Sequence, residues 1–448
     1  MGITTRERIS IQLLALVVMQ TAVPATYAIP AFARKYNLPC SACHEAWPKL
    51  NNFGQVFRDN GYQLENGRDA PIYQQLSYWP ITFRVTPEWH REFNDRTVVD
   101  VVPGNPSSGQ VESAVTTSGF DVPAVDIWTA GTLYKNISFA VQLFVDTQGQ
   151  SGIQTLFVRF DNLLGSRWLN FKLGKFELDT LLSAERLLTL NDTGGFYTNY
   201  GFLPPGDKNF FVGLAERQPG IELMGHSANS YTRYSVALLS SNGGPAGTNN
   251  SYDVYADFTQ GFEIPRLGLQ RVGVFDYVGH SPTLFQTNAG APVPGTGTGN
   301  RSFNRIGAYG LWYVGKLDFS TFYQHGQDNA FLGNAVPANQ PLLLPSGAAG
   351  PSWNGGFVET HYTYNPKFVL VGRYELVRMS RQANPSIRSD RGDVDTWTVG
   401  YRWYPFMSSR AGLAWVQEYS RQRSVGTAPL TGRDVTSSSF LMGFDFDF

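Results

Sequence analysis

The chain has 448 residues, a formal net charge of −1 and 16% charged residues, well under the roughly 25% of an average soluble domain. No basic stretch marks a nucleic-acid partner, and two cysteines are too few for a disulfide-built scaffold. Aromatic residues reach 14% and glycines number 46, yet past the N-terminus no apolar run approaches the ~18 residues of a spanning helix. Low charge with many aromatics and glycines and no apolar helix is the composition of an outer-membrane β-barrel.

Residues 1–28 read as a secretory signal peptide. Arg6 and Arg8 form the positive region, and Ile11 to Val23 the apolar region, too short to cross a bilayer. Cleavage fits after Ala25 or after Ala28. The mature protein is expected outside the cytoplasm.

Residues 29–78 form a separate segment. It contains Cys40-Ser41-Ala42-Cys43-His44, the C-x-x-C-H spacing of a c-type haem attachment site. Two thiols three residues apart add to the two vinyl groups of one porphyrin, and the adjacent histidine binds the iron. A disulfide is the plainer reading of two cysteines in an exported chain, but His44 argues against it, and zinc would need a second ligand pair. One covalently bound haem c is therefore expected. Arg34 and Lys35 could pair with its propionates or be solvated. Trp47, Leu50, Phe53, Phe57 and Tyr62, on short helices broken by Pro48 and Gly54, should supply the apolar wall. At about 50 residues the segment is too small to bury a haem alone, so it should lean on the rest of the chain, as a plug in the barrel.

No His or Met lies between Glu45 and Trp89, so the second axial ligand is not local by side chain. His90 is the first candidate, lumen-facing with Thr82, Arg84, Thr86 and Glu88. His226 and His361 are further lumen candidates, the mature N-terminus or another local group is a second reading, and a five-coordinate iron is the third.

From residue 79 to 448 the period becomes two. Phe440, Met442, Phe444, Phe446 and Phe448 alternate with Leu441, Gly443, Asp445 and Asp447, and Trp397, Val399, Tyr401 and Trp403 oppose Thr396, Thr398 and Arg402. Sixteen strands are predicted, at about 81–93, 123–133, 137–147, 154–162, 168–177, 217–226, 230–240, 251–261, 267–279, 303–314, 317–326, 355–365, 367–379, 394–404, 409–420 and 436–448. Each is near the ~10 residues of a tilted membrane strand. Long connections (94–122, 178–216, 241–250, 280–302, 327–354, 380–393, 421–435) alternate with short turns such as Tyr134-Lys135-Asn136 and Gly315-Lys316, apart from the short 148–153. Such barrels keep short turns in the periplasm, so an even strand count puts both termini there. The helix-prone loop 178–210 is the candidate inward constriction.

Pro30-Ala31-Phe32-Ala33-Arg34, the C-x-x-C-H run, Pro48-x-Leu50-Asn51-x-Phe53-Gly54-x-x-Phe57-x-x-x-Gly61-Tyr62 and a barrel ending on Phe448 together resemble the fused monohaem cytochrome c–porins of the outer membrane, of iron-oxidase type. The residue-level likeness covers about 33 residues, and the barrel matches in architecture. The resemblance implies an Fe(II)-oxidising cytochrome that passes electrons from extracellular Fe(II) or another donor, through the haem, to a periplasmic cytochrome or other electron carrier. Cys40, Cys43 and His44 carry over, and no substrate residue does. The alternatives are a diffusion porin whose haem segment acts as plug or sensor, and outward electron release.

Overall fold

A computed structural model describes residues 30–46, 48–64, 69–74, 79–123, 125–147, 149–182, 217–240, 252–281, 287–288, 291–292, 301–327, 352–381, 393–407, 411–428 and 430–448. The predicted signal peptide, Trp47 and most of the predicted constriction loop (183–210) lie outside the described residues.

Among the described residues three short helices come first: α1 (Pro30–Tyr36), α2 (Cys40–Cys43) and α3 (Asn52–Asp59). A small ribbon pairs His44–Ala46 with Lys49–Leu50 between the last two. A separate small ribbon pairs Thr287–Asn288 with Ala291–Pro292, and most of the other described residues form one closed antiparallel barrel.

Its first strand, β1, has two parts, Ile81–Val85 and Glu88–Val102. Both keep one register against the last strand, from Ser437↔Asn94 to Phe446↔Val85. The break falls at Pro87, which has no N–H to give the ladder, while its carbonyl still accepts from the Phe444 N–H at 2.9 Å. The second strand, β2, is likewise Asn105–Asp121 continued by Val125–Tyr134, and both parts pair with β1. Fourteen more follow: β3 (Ile137–Val145), β4 (Ser151–Phe160), β5 (Asn170–Phe176), β6 (Gln218–His226), β7 (Thr232–Ser240), β8 (Tyr252–Ile264), β9 (Gly268–Ser281), β10 (Arg301–Val314), β11 (Leu317–Gln327), β12 (Ser352–Asn365), β13 (Phe368–Arg381), β14 (Val394–Met407), β15 (Gly412–Ser424) and β16 (Val435–Asp447). The predicted sixteen strands are present. The closing seam is sealed by Phe83 N–H to Phe448 O (2.8 Å) and Phe448 N–H to Phe83 O (2.9 Å).

The stretch 94–122 differs from its expected form as an irregular loop. It continues β1 and β2 as a tall hairpin turning at Gly104, whose φ is +75°. Most of β2 in this region is exposed on both faces. A ribbon wet on both sides carries no apolar alternation, so the period-two signal vanishes although the strands persist.

Along the wall, faces alternate as a membrane barrel requires. On β6, Gln218, Glu222 and His226 point in and are buried, while Ile221 and Leu223 point out. On β7, Arg233 and Ser235 point in, and Val236 and Leu238 point out. At the short-turn end the outer face carries aromatic pairs: Trp168–Tyr234, Phe368–Tyr401, Trp415–Phe444 and Phe83–Phe448. Such a girdle marks a membrane–water interface.

Candidate functional site

The N-terminal segment lies inside the barrel, at the end that holds the short turns and the C-terminus. Its contacts run round the wall. On β1, Thr82 Oγ1 accepts from the Ala31 N–H at 3.2 Å. On β7, Arg233 grips the Asp59 carboxylate through Nε (2.8 Å) and a terminal nitrogen (3.0 Å). Arg233 also holds Asp179 at 2.7 Å, and Asp179 holds Arg58 at 2.6 Å. Arg159 of β4 donates to the carbonyls of Arg58 (3.0 Å) and Asp59. Arg271 of β9 donates to Asn52. Asp318 of β11 pairs with Lys49. Ala46 packs with Val369 and Val371 of β13, Tyr404 of β14 and Ala414 of β15. Asp179 belongs to the start of the predicted constriction loop, so its first residues do turn inward, with Leu178, Leu181 and Leu182 buried.

Within the segment, Asn51 joins α2 to α3. Its Nδ2 donates to the carbonyls of Ser41 (3.2 Å) and Ala42 (3.0 Å), and its Oδ1 caps α3 by accepting from the Gly54 N–H at 2.9 Å. Gly54 is needed for contact between the helices: a Cβ there would stand 2.1 Å from the Cys43 carbonyl oxygen. Gly61 has a φ of +68°, and a Cβ on it would strike the Asp161 carboxylate of the β4–β5 connection.

Cys40 and Cys43 end a single helical turn, with His44 next. Cys43 carries a free thiol, and burial pushes it up to about 11. His44 is buried, and burial lowers its imidazole to about 4 against weaker backbone hydrogen bonds, so it stays neutral. Its Nδ1 lies 3.1 Å from the Pro48 carbonyl. A metal-binding histidine is usually held in this way, one nitrogen donating to a carbonyl and the other left for the metal. The donor set therefore fits a c-type haem. Among the described residues no group of three His, Cys, Asp or Glu side chains is placed to hold a bare metal ion.

The other predicted residues are placed as follows. Phe57 is buried against Phe32 (5.1 Å), Tyr36 (5.4 Å) and Tyr62 (6.1 Å). Phe53 is 42% exposed and stands outside that cluster. Arg34 donates to the carbonyls of Trp79 and Ile81, and Lys35 to that of Ala70. Both cations tie α1 to the chain leading into β1. His90 faces the lumen, as expected, opposite Leu441 of β16 and 3.8 Å from Glu88. His226 and His361 also face inward and are buried. His361 comes up to the residues that follow the C-x-x-C-H run, 3.4 Å from Lys49.

A cavity of about 290 Å3 separates segment and wall, lined by Glu45, Lys49 and Leu50 on one side and Leu269, Arg271 and Tyr313 on the other. Burial opposes the Lys49 charge, but Glu45, Tyr313 and Asp318 outweigh it and hold the ammonium above its usual range.

No protein-family model and no curated protein sequence matches the chain. Solved structures do. The outer membrane channel DcaP of Acinetobacter baumannii is similar over 82% of this chain and 96% of its own, at 9% identity and a TM-score of 0.50. OmpF of Salmonella typhi, in complex with daunomycin, is similar over 82% and 97%, at 9% identity and 0.48. An anion-selective porin from Comamonas acidovorans is similar over 82% and 99%, at 10% identity and 0.47. At such identities the likeness concerns fold alone. The chain is a sixteen-stranded outer-membrane barrel of porin type, with its outward face in lipid.

Proposed function

We propose that this protein is an outer-membrane electron conduit, in which a 29–78 haem segment plugs a 79–448 barrel. The observation that carries the reading is the C-x-x-C-H turn held inside the barrel by buried ion pairs. A haem c bound at Cys40, Cys43 and His44 supplies a one-electron Fe(III)/Fe(II) couple. The chain's own part is to hold that couple within the wall. Asp59, Arg233 and Asp179 fix the segment on one side, and Lys49 with Asp318 on the other. Placement inside the lumen shortens both legs of a path through a ~30 Å hydrocarbon core. In this reading both termini are periplasmic, electrons come from extracellular Fe(II) or another outer donor, and a periplasmic cytochrome or other carrier receives them. His90, on the strand to which α1 is tied, is the proposed second axial ligand.

The porin-type fold favours a second reading, a solute channel whose haem segment is only a plug or sensor. Reduction separates the two. The purified protein should carry one haem that resists extraction, and Fe(II) should reduce it. Cys43→Ala should abolish covalent attachment. His90→Ala should change the haem spectrum if His90 is a ligand. A haem-loaded protein that no outer-surface donor reduces sinks the conduit and leaves the plugged channel.

A further inference from the structure

The residues after the haem motif run into a buried chain of ionisable groups on the barrel wall. Glu45 meets Lys49 at 3.1 Å, and Lys49 meets Asp318 of β11. His361 of β12 stands next. Its Nδ1 is 2.6 Å from Asp318 Oδ1 and 3.4 Å from the Lys49 ammonium, and its Nε2 is 2.5 Å from Glu359 Oε1. Glu359 then meets Arg373 of β13, and Arg373 meets Glu375 at 3.2 Å. From β10, Tyr313 faces Lys49, with the ammonium 5.1 Å from its ring. Glu45 is partly exposed at one end of the run, while its middle is out of water: His361 is 1% exposed and Glu359 0%.

The geometry at His361 is specific. One imidazole bridges two carboxylates, and each short contact needs a proton between its atoms. A neutral ring brings one proton and an imidazolium brings two. The bridge therefore has two well-defined protonation states, separated by one proton. Its near end is Lys49, which lies opposite Ala46 in the ribbon that also pairs His44 with Leu50. In a buried site a charge change is weakly screened, so an electron added beside His44 raises the proton affinity of a bridge whose His361 meets Lys49, across the ribbon from Ala46.

We propose that the Asp318–His361–Glu359 bridge is the proton partner of the haem's electron. The inference rests on the conduit reading. As one electron from an outer one-electron donor converts Fe(III) to Fe(II), one proton from bulk water enters the bridge. When the electron leaves to a periplasmic one-electron acceptor, Fe(II) returns to Fe(III) and the proton returns to water. Lys49 is the positioning residue, setting the field that the bridge feels.

The test is the midpoint potential of the full-length, haem-loaded protein in detergent, titrated spectroscopically from pH 5.5 to 8.5. The wild type should show a potential that falls with rising pH, approaching ~59 mV per unit for one proton per electron. His361→Gln should flatten the slope, with the haem spectrum unchanged. Asp318→Asn is the second variant should His361→Gln fail to assemble, and should flatten it too. His325→Gln, on the same strand as Asp318 but bonded to Asn354 at 3.0 Å, should keep the wild-type slope. A purely structural cluster would lower thermal stability in the variants without moving the slope. A pH-independent wild-type potential, or a slope surviving both bridge variants, overturns the proposal and leaves the conduit intact. A protein without covalent haem overturns the conduit reading itself, and shows it before any potential is measured.

Discussion

Asp59 locks the segment to the wall through Arg233. It is 5% exposed and takes two hydrogen bonds from Arg233. Removing one partner of a buried pair leaves the other charge uncompensated, at a cost of about 3–5 kcal/mol. Asp59→Asn should therefore loosen the segment, seen as faster proteolysis between residues 60 and 80, while the barrel keeps its heat-resistant migration. The pH dependence has a definite sign. Burial raises the Asp59 pKa, but Arg233, with His226 and Arg58, outweighs burial and Asp179, so the folded value lies below the ordinary one. A depressed acid contributes stability that is complete above its unfolded pKa of about 3.9 and lost as pH falls through the folded value. Docking should hold through mildly acidic pH and fail only well below 4; a loss already at pH 5–6 would contradict the assignment. None of these partners was legible from sequence, because Asp59 and Arg233 are 174 residues apart and meet only when the wall closes. The C-x-x-C-H run was legible because its spacing lies within one helical turn. That His361 would come up to Lys49 was not, since 312 residues separate them and the contact forms only when the wall closes.

At the scale of elements, the small helices are defined less by propensity than by close contact. α2 has four residues and could not persist alone. It is kept by Asn51 and by the approach that Gly54 permits. Gly54→Ala should push α3 off α2, costing about 1–3 kcal/mol as overpacking does. Lower haem per barrel with an unchanged barrel fraction would show it, whereas full haem loading would mean the helices can part without harm. The wall strands were readable because each has one face in lipid and one in the lumen, and the period of two follows directly. Where both faces are wet, in the tall hairpin of β1 and β2, the signal failed although backbone pairing did not. The terminal strand was the clearest, with Phe440 to Phe448 outward and Asp445 and Asp447 inward.

At the scale of the whole molecule, a porin-type wall encloses a segment that touches at least six of its strands, and what passes through depends on whether that segment stays. Two groups of buried charges hold it on separate arcs, Asp59–Arg233–Asp179 on one and Lys49–Asp318–His361 on the other. Each contains a buried ion pair whose breakage costs about 3–5 kcal/mol, or roughly a hundred- to several-thousand-fold in the docked population. Breaking one arc should leave the segment held by the other, and breaking both should release it. In planar bilayers the wild type should therefore conduct little. Asp59→Asn should add rare openings, and Asp59→Asn with Lys49→Met should give steady steps of porin size. A wild type that already conducts as an open porin would mean the segment leaves a continuous water path beside it. The solute-channel reading would then be the better one, because a lumen filled with flowing water cannot also keep the relay beside His44 dry.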